Sequence, residues 1–204
     1  KLIANTKTMK TKLNALVLAG GKSTRMGTDK GELAYHGKPH REYLYELLEK
    51  FCDDVYLSVR SEQHQNLPDN LKTITDKDQY RGPLNGMISA YQEFPQVAWL
   101  VVATDLPLID KNSIRQLIDQ RNPEKIATAY ATHQSGLPEP LFAVWESGSF
   151  PKAIEYLKSG TNTCPRKFLI NSDTELIFPS SDDILINANN KQEYELALKK
   201  LQKV

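Results

Sequence analysis

A three-layer α/β sandwich around a mainly parallel, partly mixed sheet is the fold class predicted for this chain of 204 residues. Three observations predict it. Apolar runs of strand length, such as Leu13 to Ala19, continuous after Asn14, and Val97 to Ala103, suit strands buried on both faces. Segments with helical spacing alternate with them, separated by crossovers of about a dozen residues, as parallel strands require. The last third breaks that alternation, which makes the sheet mixed.

Leu13 to Ala19 reads as the first strand, and the glycines after it favour strand over helix. From His40 to Phe51, the residues Tyr43, Leu44, Leu47, Leu48 and Phe51 keep the helical period behind Pro39, a residue suited to a first turn. "DDVYLSVR" and "NLKTIT" read as the second and third strands. "GPLNGMISAYQEF" starts at a Gly-Pro turn and takes helical spacing through Leu84, Met87, Ile88 and Tyr91. "VAWLVVATD" is the fourth strand, and "KNSIRQLIDQR" the helix after it. "KIATAYAT" and "PLFAVWE" read as strands on either side of a Gly/Pro turn, and "FPKAIEYLKSG" as a helix ending at Gly160. "ILINANN" reads as a closing strand and "KQEYELALKKLQKV" as a final amphipathic helix. Residues 13–204 therefore read as one domain. Residues 1–12 read as a flexible tail or linker, polar and basic and without the apolar stretch of a signal peptide.

Composition removes several functional classes. With 40% hydrophobic and 25% charged residues the chain is ordinary soluble-globular material. No run approaches the roughly 18 apolar residues of a membrane span. Lys and Arg number 26 against 25 acidic residues, so a net charge of +1 leaves no basic field to draw in nucleic acid. Cys52 and Cys164 stand outside any Cys-x-x-Cys pair, which argues against zinc or thioredoxin chemistry, and two such thiols fit a reducing cytoplasm. His36, His40, His64 and His133 lack metal-ligand spacing and read as solvated side chains. Ser23 and Ser135 lack a nucleophile-elbow context, so covalent catalysis has little support.

Ligands of open α/β sheets bind beyond the carboxyl ends of the strands. Three unusual segments fall there: "LAGGKSTRMGTDK", "TDKDQYRGPLNG" and "ATDLP". Gly20 and Gly21 permit positive φ and close approach of backbone to a ligand. Arg25 and Lys30 can neutralise a triphosphate, the one as a planar fork and the other as a point charge; a turn with solvated cations is the alternative. The loop matches neither the P-loop pattern nor G-x-G-x-x-G. Asp105, emerging directly from "WLVVAT", suits magnesium, which takes one or two carboxylates plus substrate phosphates and water. Capping a helix that begins near Pro107 is its alternative. Asp76 ends the third strand in the same way, as a ligand-hydroxyl acceptor, a second metal partner or a turn former.

Taken in order, "LAGGKSTRMGTDK", "GKP" at 37–39, "GPLNG" at 82–86, "ATDLP" at 103–107 and "INANNKQEYE" resemble the signature of the nucleotidyltransferases with a pyrophosphorylase-like loop. Among them the molybdenum cofactor guanylyltransferase family is the nearest likeness, from Leu13 to about Leu201. The resemblance implies a Rossmann-like nucleotidyltransferase fold and a Mg2+-dependent reaction. GTP and molybdopterin, or its molybdenum-loaded form, would give the guanine dinucleotide cofactor and pyrophosphate. Such a transfer asks for positioning and charge rather than a covalent nucleophile.

The resemblance also implies roles for residues. The catalytic set would be Arg25, Lys30 and Asp105, with Arg25 along the β- and γ-phosphates and Asp105 as the magnesium ligand. Nucleotide would be held by Leu18, Ala19, Gly20 and Gly21, by Lys30 and Asp76, and by the loop of Gly82, Pro83 and Leu84. Ser58, also in the nucleotide set, stands where relatives carry asparagine. Glu139, Arg166, Asn187 and Asn189 would bind the acceptor, although Asn190-Lys191 replaces the family's Thr-Pro ending. "LAGG" and "GPLNG" resemble guanine-specific members more than cytidine-transferring ones. Pterin-delivery or acceptor proteins are the partners this implies. Transfer from CTP, a sugar phosphate or phospholactate acceptor, and a non-catalytic module that binds nucleotide or pterin are the alternatives.

Overall fold

A computed structural model describes residues 11–20, 30–160 and 163–202. Among them lie the strands β1 (Leu13–Leu18), β2 (Val55–Val59), β3 (Thr73–Thr75), β4 (Ala98–Ala103), β5 (Ala127–Ala131), β6 (Pro138–Trp145) and β7 (Thr174–Ile177). The helices are α1 (His40–Leu48), α2 (Pro83–Glu93), α3 (Lys111–Asp119), α4 (Ser149–Lys158), α5 (Pro165–Ile170) and α6 (Lys191–Leu201). The strands form one sheet in the order β3-β2-β1-β4-β6-β5-β7. β1 to β4 are parallel, β6 runs antiparallel to both β4 and β5, and β7 returns parallel to β5. The predicted mixed α/β sandwich is the observed one.

The apolar strands divide their side chains between two covering layers, as the two-residue period demands. Leu13, Ala15 and Val17 of β1 and Ala98, Leu100 and Val102 of β4 meet Leu44 and Leu48 of α1 and Ile114 and Leu117 of α3. Leu16, Trp99 and Val101 face the other way, onto Leu84, Met87 and Ile88 of α2 and Phe150 of α4. Trp99 and Trp145 are fully buried there, each worth several kcal/mol at about 25 cal/mol per Å² of apolar surface. At the edge opposite the carboxyl ends of β1 to β4, Arg121 forks onto both Glu146 oxygens at 2.7 and 2.8 Å and donates to the Thr11 carbonyl.

Two features depart from expectation in the C-terminal third. Residues 184–190 form no strand: Ser181 accepts from the Asp183 N–H and starts a tight turn, Asp182–Leu185, after which the chain crosses the strand ends. The edge position beside β5 goes to the short, half-polar β7 instead, and α5 precedes it. α6 then packs on residues 33–35, with Ala197 and Ala188 against Tyr35. Asn190 caps α6 by accepting from the Glu193 N–H at 3.0 Å.

The histidines are not uniformly solvated. His64 and His133 do face solvent, paired with Thr75 and Asp182. His36 is half-buried and stacks on Tyr43 at 3.7 Å, and His40 is fully buried beside Tyr35. Folding of residues 35–43 back on α1 removes these rings from water. Burial pushes the His40 imidazole down to about 4, against the opposing pull of the Leu106 carbonyl 3.3 Å from Nε2.

The unfolded chain takes up this proton near pH 6.5, the folded chain near 4, so the stability contributed by the neutral ring is complete above 6.5 and lost as pH falls toward 4. Urea unfolding of the wild type is expected to lose about 3 kcal/mol across that window. His40→Gln is expected to give a visibly shallower profile over the same interval.

Candidate active site

The chain runs outward from β1 to β2 and β3, then returns through α2 to place β4 on the other side of β1. Such a reversal of direction leaves a crevice beyond the carboxyl ends of the two central strands. A cavity of about 380 Å³ occupies it. Its floor is Leu18 at the end of β1 with Ala19 and Gly20 after it; its walls include Ser58 near the end of β2 and Arg60 after it, Asp76 after β3, and Thr104 and Asp105 after β4. Gly82, Pro83, Asn85 and Gly86 bring the first turn of α2 to the same space.

The loop leaving β1 is fixed by its neighbours. The Ala19 N–H donates to the Ser58 carbonyl at 3.0 Å, and the Ala19 carbonyl accepts from Gln63 Nε2 at 3.1 Å. Gly20 does not need positive φ, which the described glycines reserve for Gly37, Gly82, Gly136 and Gly160. Close approach explains it instead: a Cβ there would lie 2.8 Å from Asp76 Oδ2.

Asp76 is the most constrained carboxylate of the site. Its Oδ1 accepts from Ser58 Oγ at 2.6 Å, and the Asn85 side chain also hydrogen-bonds the carboxyl. Asn85 Oδ1 accepts from the Tyr80 N–H at 3.1 Å, and Ser89 Oγ accepts from the Lys77 N–H at 3.0 Å, so α2 holds the whole 76–80 loop in place. Burial pushes the Asp76 pKa up; Asp78 adds to this, while Ser58, Asn85 and Arg60 oppose it. Gly86 permits the contact, since a Cβ would overlap Ser58 Oγ and come within 3.0 Å of Asp76 Oδ1.

Asp105 lies in the turn after β4, half-buried at the cavity wall. It does not cap the next helix, because α3 starts at Lys111 and Asp110 caps it, accepting from the Ser113 N–H at 2.8 Å. Thr104 Oγ1 reaches the Leu18 carbonyl at 3.4 Å, and the Ala188 N–H donates to the Asp105 carbonyl at 2.8 Å. Among the described residues no group of three or more acidic, histidine or cysteine side chains converges. That donor set does not fit an all-protein metal cage. Asp105, on a cavity sized for a nucleotide, fits magnesium, which takes one or two carboxylates and completes its shell with phosphate oxygens and water.

β6 runs antiparallel to β4, so it starts where β4 ends and carries Glu139 to this edge. Glu139 Oε2 accepts from Arg166 Nη2 at 2.6 Å and Oε1 from the Leu141 N–H at 3.1 Å, while Arg166 Nε holds the Pro138 carbonyl. Burial pushes the Glu139 pKa up, Arg166 opposes it, and the nearby Asp105 adds to it. Asn187 and Asn189 flank Ala188, whose bond to Asp105 sets them beside the same turn.

The structure thus gathers Leu18, Ala19, Gly20, Ser58, Asp76, Gly82, Pro83 and Asp105 about one cavity, with Glu139 and Arg166 paired beside it. Leu84 differs: its side chain is fully buried in the core with Leu16 and Met87, not at the cavity wall. Gly21, Arg25 and the side chain of Lys30 lie outside the described residues. Arg60, Tyr80, Asn85 and Leu141 also line the cavity and were missed from sequence. Arg60 carries the signal that singled out Asp76 and Asp105, a charged residue directly behind an apolar strand.

A doubly wound sheet with a nucleotide-sized crevice at its switch point, lined by Asp76, Asp78 and Asp105, places this site among those of the nucleotide-binding α/β proteins. Residues 15–176 match the MobA-like NTP transferase domain, and the chain belongs to that family. It is 38% identical over 188 residues to a molybdenum cofactor biosynthesis bifunctional protein of Synechocystis, covering 90% of this chain and 53% of that one. The chain therefore spans about half the length of that relative. A molybdenum cofactor guanylyltransferase of Pseudomonas putida is 29% identical, with 88% of this chain and 94% of that one covered. In fold, molybdopterin-guanine dinucleotide biosynthesis protein A from Archaeoglobus fulgidus superposes with a TM-score of 0.77 at 20% identity, over 94% of this chain and 100% of that one.

Gly86→Ala is expected to destabilise the protein by about 1–3 kcal/mol through overpacking against Ser58 and Asp76. Thermal unfolding of the variant beside the wild type measures it.

Proposed function

We propose that the protein transfers GMP from GTP to the terminal phosphate of molybdopterin, releasing pyrophosphate. The observation that carries this reading is the convergence of Asp76, Asp105 and the Leu18–Gly20 backbone on one cavity, in a chain of the MobA-like NTP transferase family. Names borne by the relatives support GTP and molybdopterin as the substrates.

In the reaction a terminal phosphate oxygen of the pterin forms a bond to the α-phosphorus of GTP, and the bond from that phosphorus to the β-phosphate bridging oxygen breaks. The electron pair leaves with pyrophosphate. The Leu18–Gly20 backbone and Asp76 hold the nucleoside, so the α-phosphorus is presented toward Asp105. Arg25 and Lys30 neutralise the triphosphate and the departing pyrophosphate. Magnesium, held by Asp105, supplies positive charge to the phosphates when bound. Glu139 and Arg166, with Asn187 and Asn189, orient the pterin phosphate on the far side of Asp105. Holding two anionic reactants in register is the main contribution asked of the protein.

Cys52 and Cys164 are free thiols, which supports a cytoplasmic setting; among the described residues no helix is long and apolar enough to cross a membrane. We propose that residues 13–204 form a single catalytic domain.

Incubation with magnesium, molybdopterin and α-labelled GTP or CTP is expected to give labelled dinucleotide from GTP. Product from CTP alone would overturn the base assignment, and product only with another acceptor the pterin assignment. Asp105→Ala is expected to lower turnover by about 10²–10³-fold with an unchanged unfolding midpoint. Wild-type turnover in that variant would remove Asp105 from the mechanism.

A further inference from the structure

We infer that His40 is a positioning residue for the reaction: its Nε2 holds the Leu106 carbonyl and so fixes the turn on which Asp105 is presented to the cavity. The inference rests on the reading of Asp105 as the magnesium carboxylate of a GTP site and goes beyond it by naming what holds that carboxylate in place.

No bond made within or directly beneath this turn is short. The Leu106 N–H reaches the Ala103 carbonyl at 3.4 Å, and Thr104 Oγ1 reaches the Leu18 carbonyl at 3.4 Å, both beyond the usual 2.7–3.2 Å range of such bonds. The placement of Asp105 is therefore shared with distant chain. The Ala188 N–H donates to the Asp105 carbonyl at 2.8 Å, and His40 Nε2 meets the next carbonyl, that of Leu106, at 3.3 Å across 66 positions of sequence.

Packing turns the His40 contact into a fixed one. His40 opens α1, its N–H donates to the Leu33 carbonyl at 3.0 Å, and Leu44, Leu47 and Leu48 anchor that helix in the core. Tyr35 stands edge-on to the ring with centroids 5.0 Å apart, while Tyr43 and His36 lie nearly parallel to it at 5.9 and 6.0 Å. Tyr35 also packs on Ala188. The two outside contacts on the turn thus belong to one packed layer.

The imidazole carries a cost that a mere filler would avoid. Burial keeps the ring neutral, so one nitrogen alone bears a proton. The Leu106 carbonyl can only accept, which puts that proton on Nε2. Nδ1 is left as a buried acceptor without a hydrogen-bond partner, and such a group is destabilising. A leucine of similar size would fill the same space without that acceptor, but could not hold the carbonyl.

Calorimetric GTP binding with and without magnesium, and turnover with molybdopterin, test this at pH 8 in three variants. Magnesium is expected to tighten GTP binding by the wild type. In His40→Leu that gain and kcat are each expected to fall about tenfold or more, while binding of metal-free GTP and the unfolding midpoint stay close to wild type. The exchange removes one unpaired buried acceptor, Nδ1, and leaves at most one other, the Leu106 carbonyl. His40→Gln, whose amide nitrogen overlays Nε2, is expected to restore both the gain and kcat. His40→Asn, whose amide nitrogen overlays Nδ1, is expected to restore neither. Wild-type behaviour of His40→Leu would overturn the inference, as would a parallel fall in metal-free binding, midpoint and kcat. Should His40→Leu fail to fold, the Gln and Asn variants decide alone, and equal behaviour of the two would overturn it. If magnesium leaves GTP binding by the wild type unchanged, or Asp105→Ala turns over like wild type, the reading of Asp105 falls first, and this inference with it.

Discussion

The parallel pairing of β1 with β4 runs from Leu13 opposite Ala98 to Leu18 opposite Ala103, and every later feature of the site depends on it. Both strands are apolar on both faces, so a slip of one residue would send Trp99 and Val101 toward α1 and α3, where the space is shaped for Ala98 and Leu100. Register is therefore set by side-chain volume on two sides at once. Once it is set, Leu18 and Ala103 end level with one another, and the loops that follow must share one crevice.

That crevice is then filled with groups that a hydrophobic core would exclude. Four carboxylates, Asp76, Asp78, Asp105 and Glu139, stand at or beside it, and Asp76 and Glu139 resist ionisation because they are buried. The fold answers with short hydrogen bonds rather than with exposure: Ser58 and Asn85 on Asp76, Arg166 on Glu139. Glycines at 20 and 86 make the answer geometrically possible, since each stands where a methyl group would strike the Asp76 carboxyl. Stability is given up here for a ligand's benefit, as binding sites generally require.

Sequence reading reached the central architecture because its signals are local. Continuous apolar runs announce β1 and β4, helical spacing announces α2 and α3, and a carboxylate directly behind a strand marks Asp76 and Asp105. It failed where the deciding contact is distant in sequence. β7 is short and half polar, and only its place beside β5 makes it a strand, whereas the more apolar run at 184–186 is drawn away by the Ala188 bond to Asp105. His40 carries no sign of burial; Tyr35 and Tyr43, folded over it, decide the matter. Arg60 was absorbed into "DDVYLSVR" as the tail of a strand, because its tie to the β1 loop runs through Gln63 to Ala19, two residues 44 positions apart in sequence.

The reversal of β6 has a consequence for how this scaffold can change. Its first residues, and not its last, reach the reactive edge, so Glu139 arrives there on a hairpin with β5 and is braced by α5, elements that share no strand pairing with β1 to β3. The two sides of the crevice are thus carried by separate stretches of chain, joined by the β4 pairing and by the layer in which Tyr91 of α2 stacks on Phe150 of α4. A change of side chain at one rim of the crevice is then a change in one of those stretches alone, while the shared layer beneath ties both to a common core.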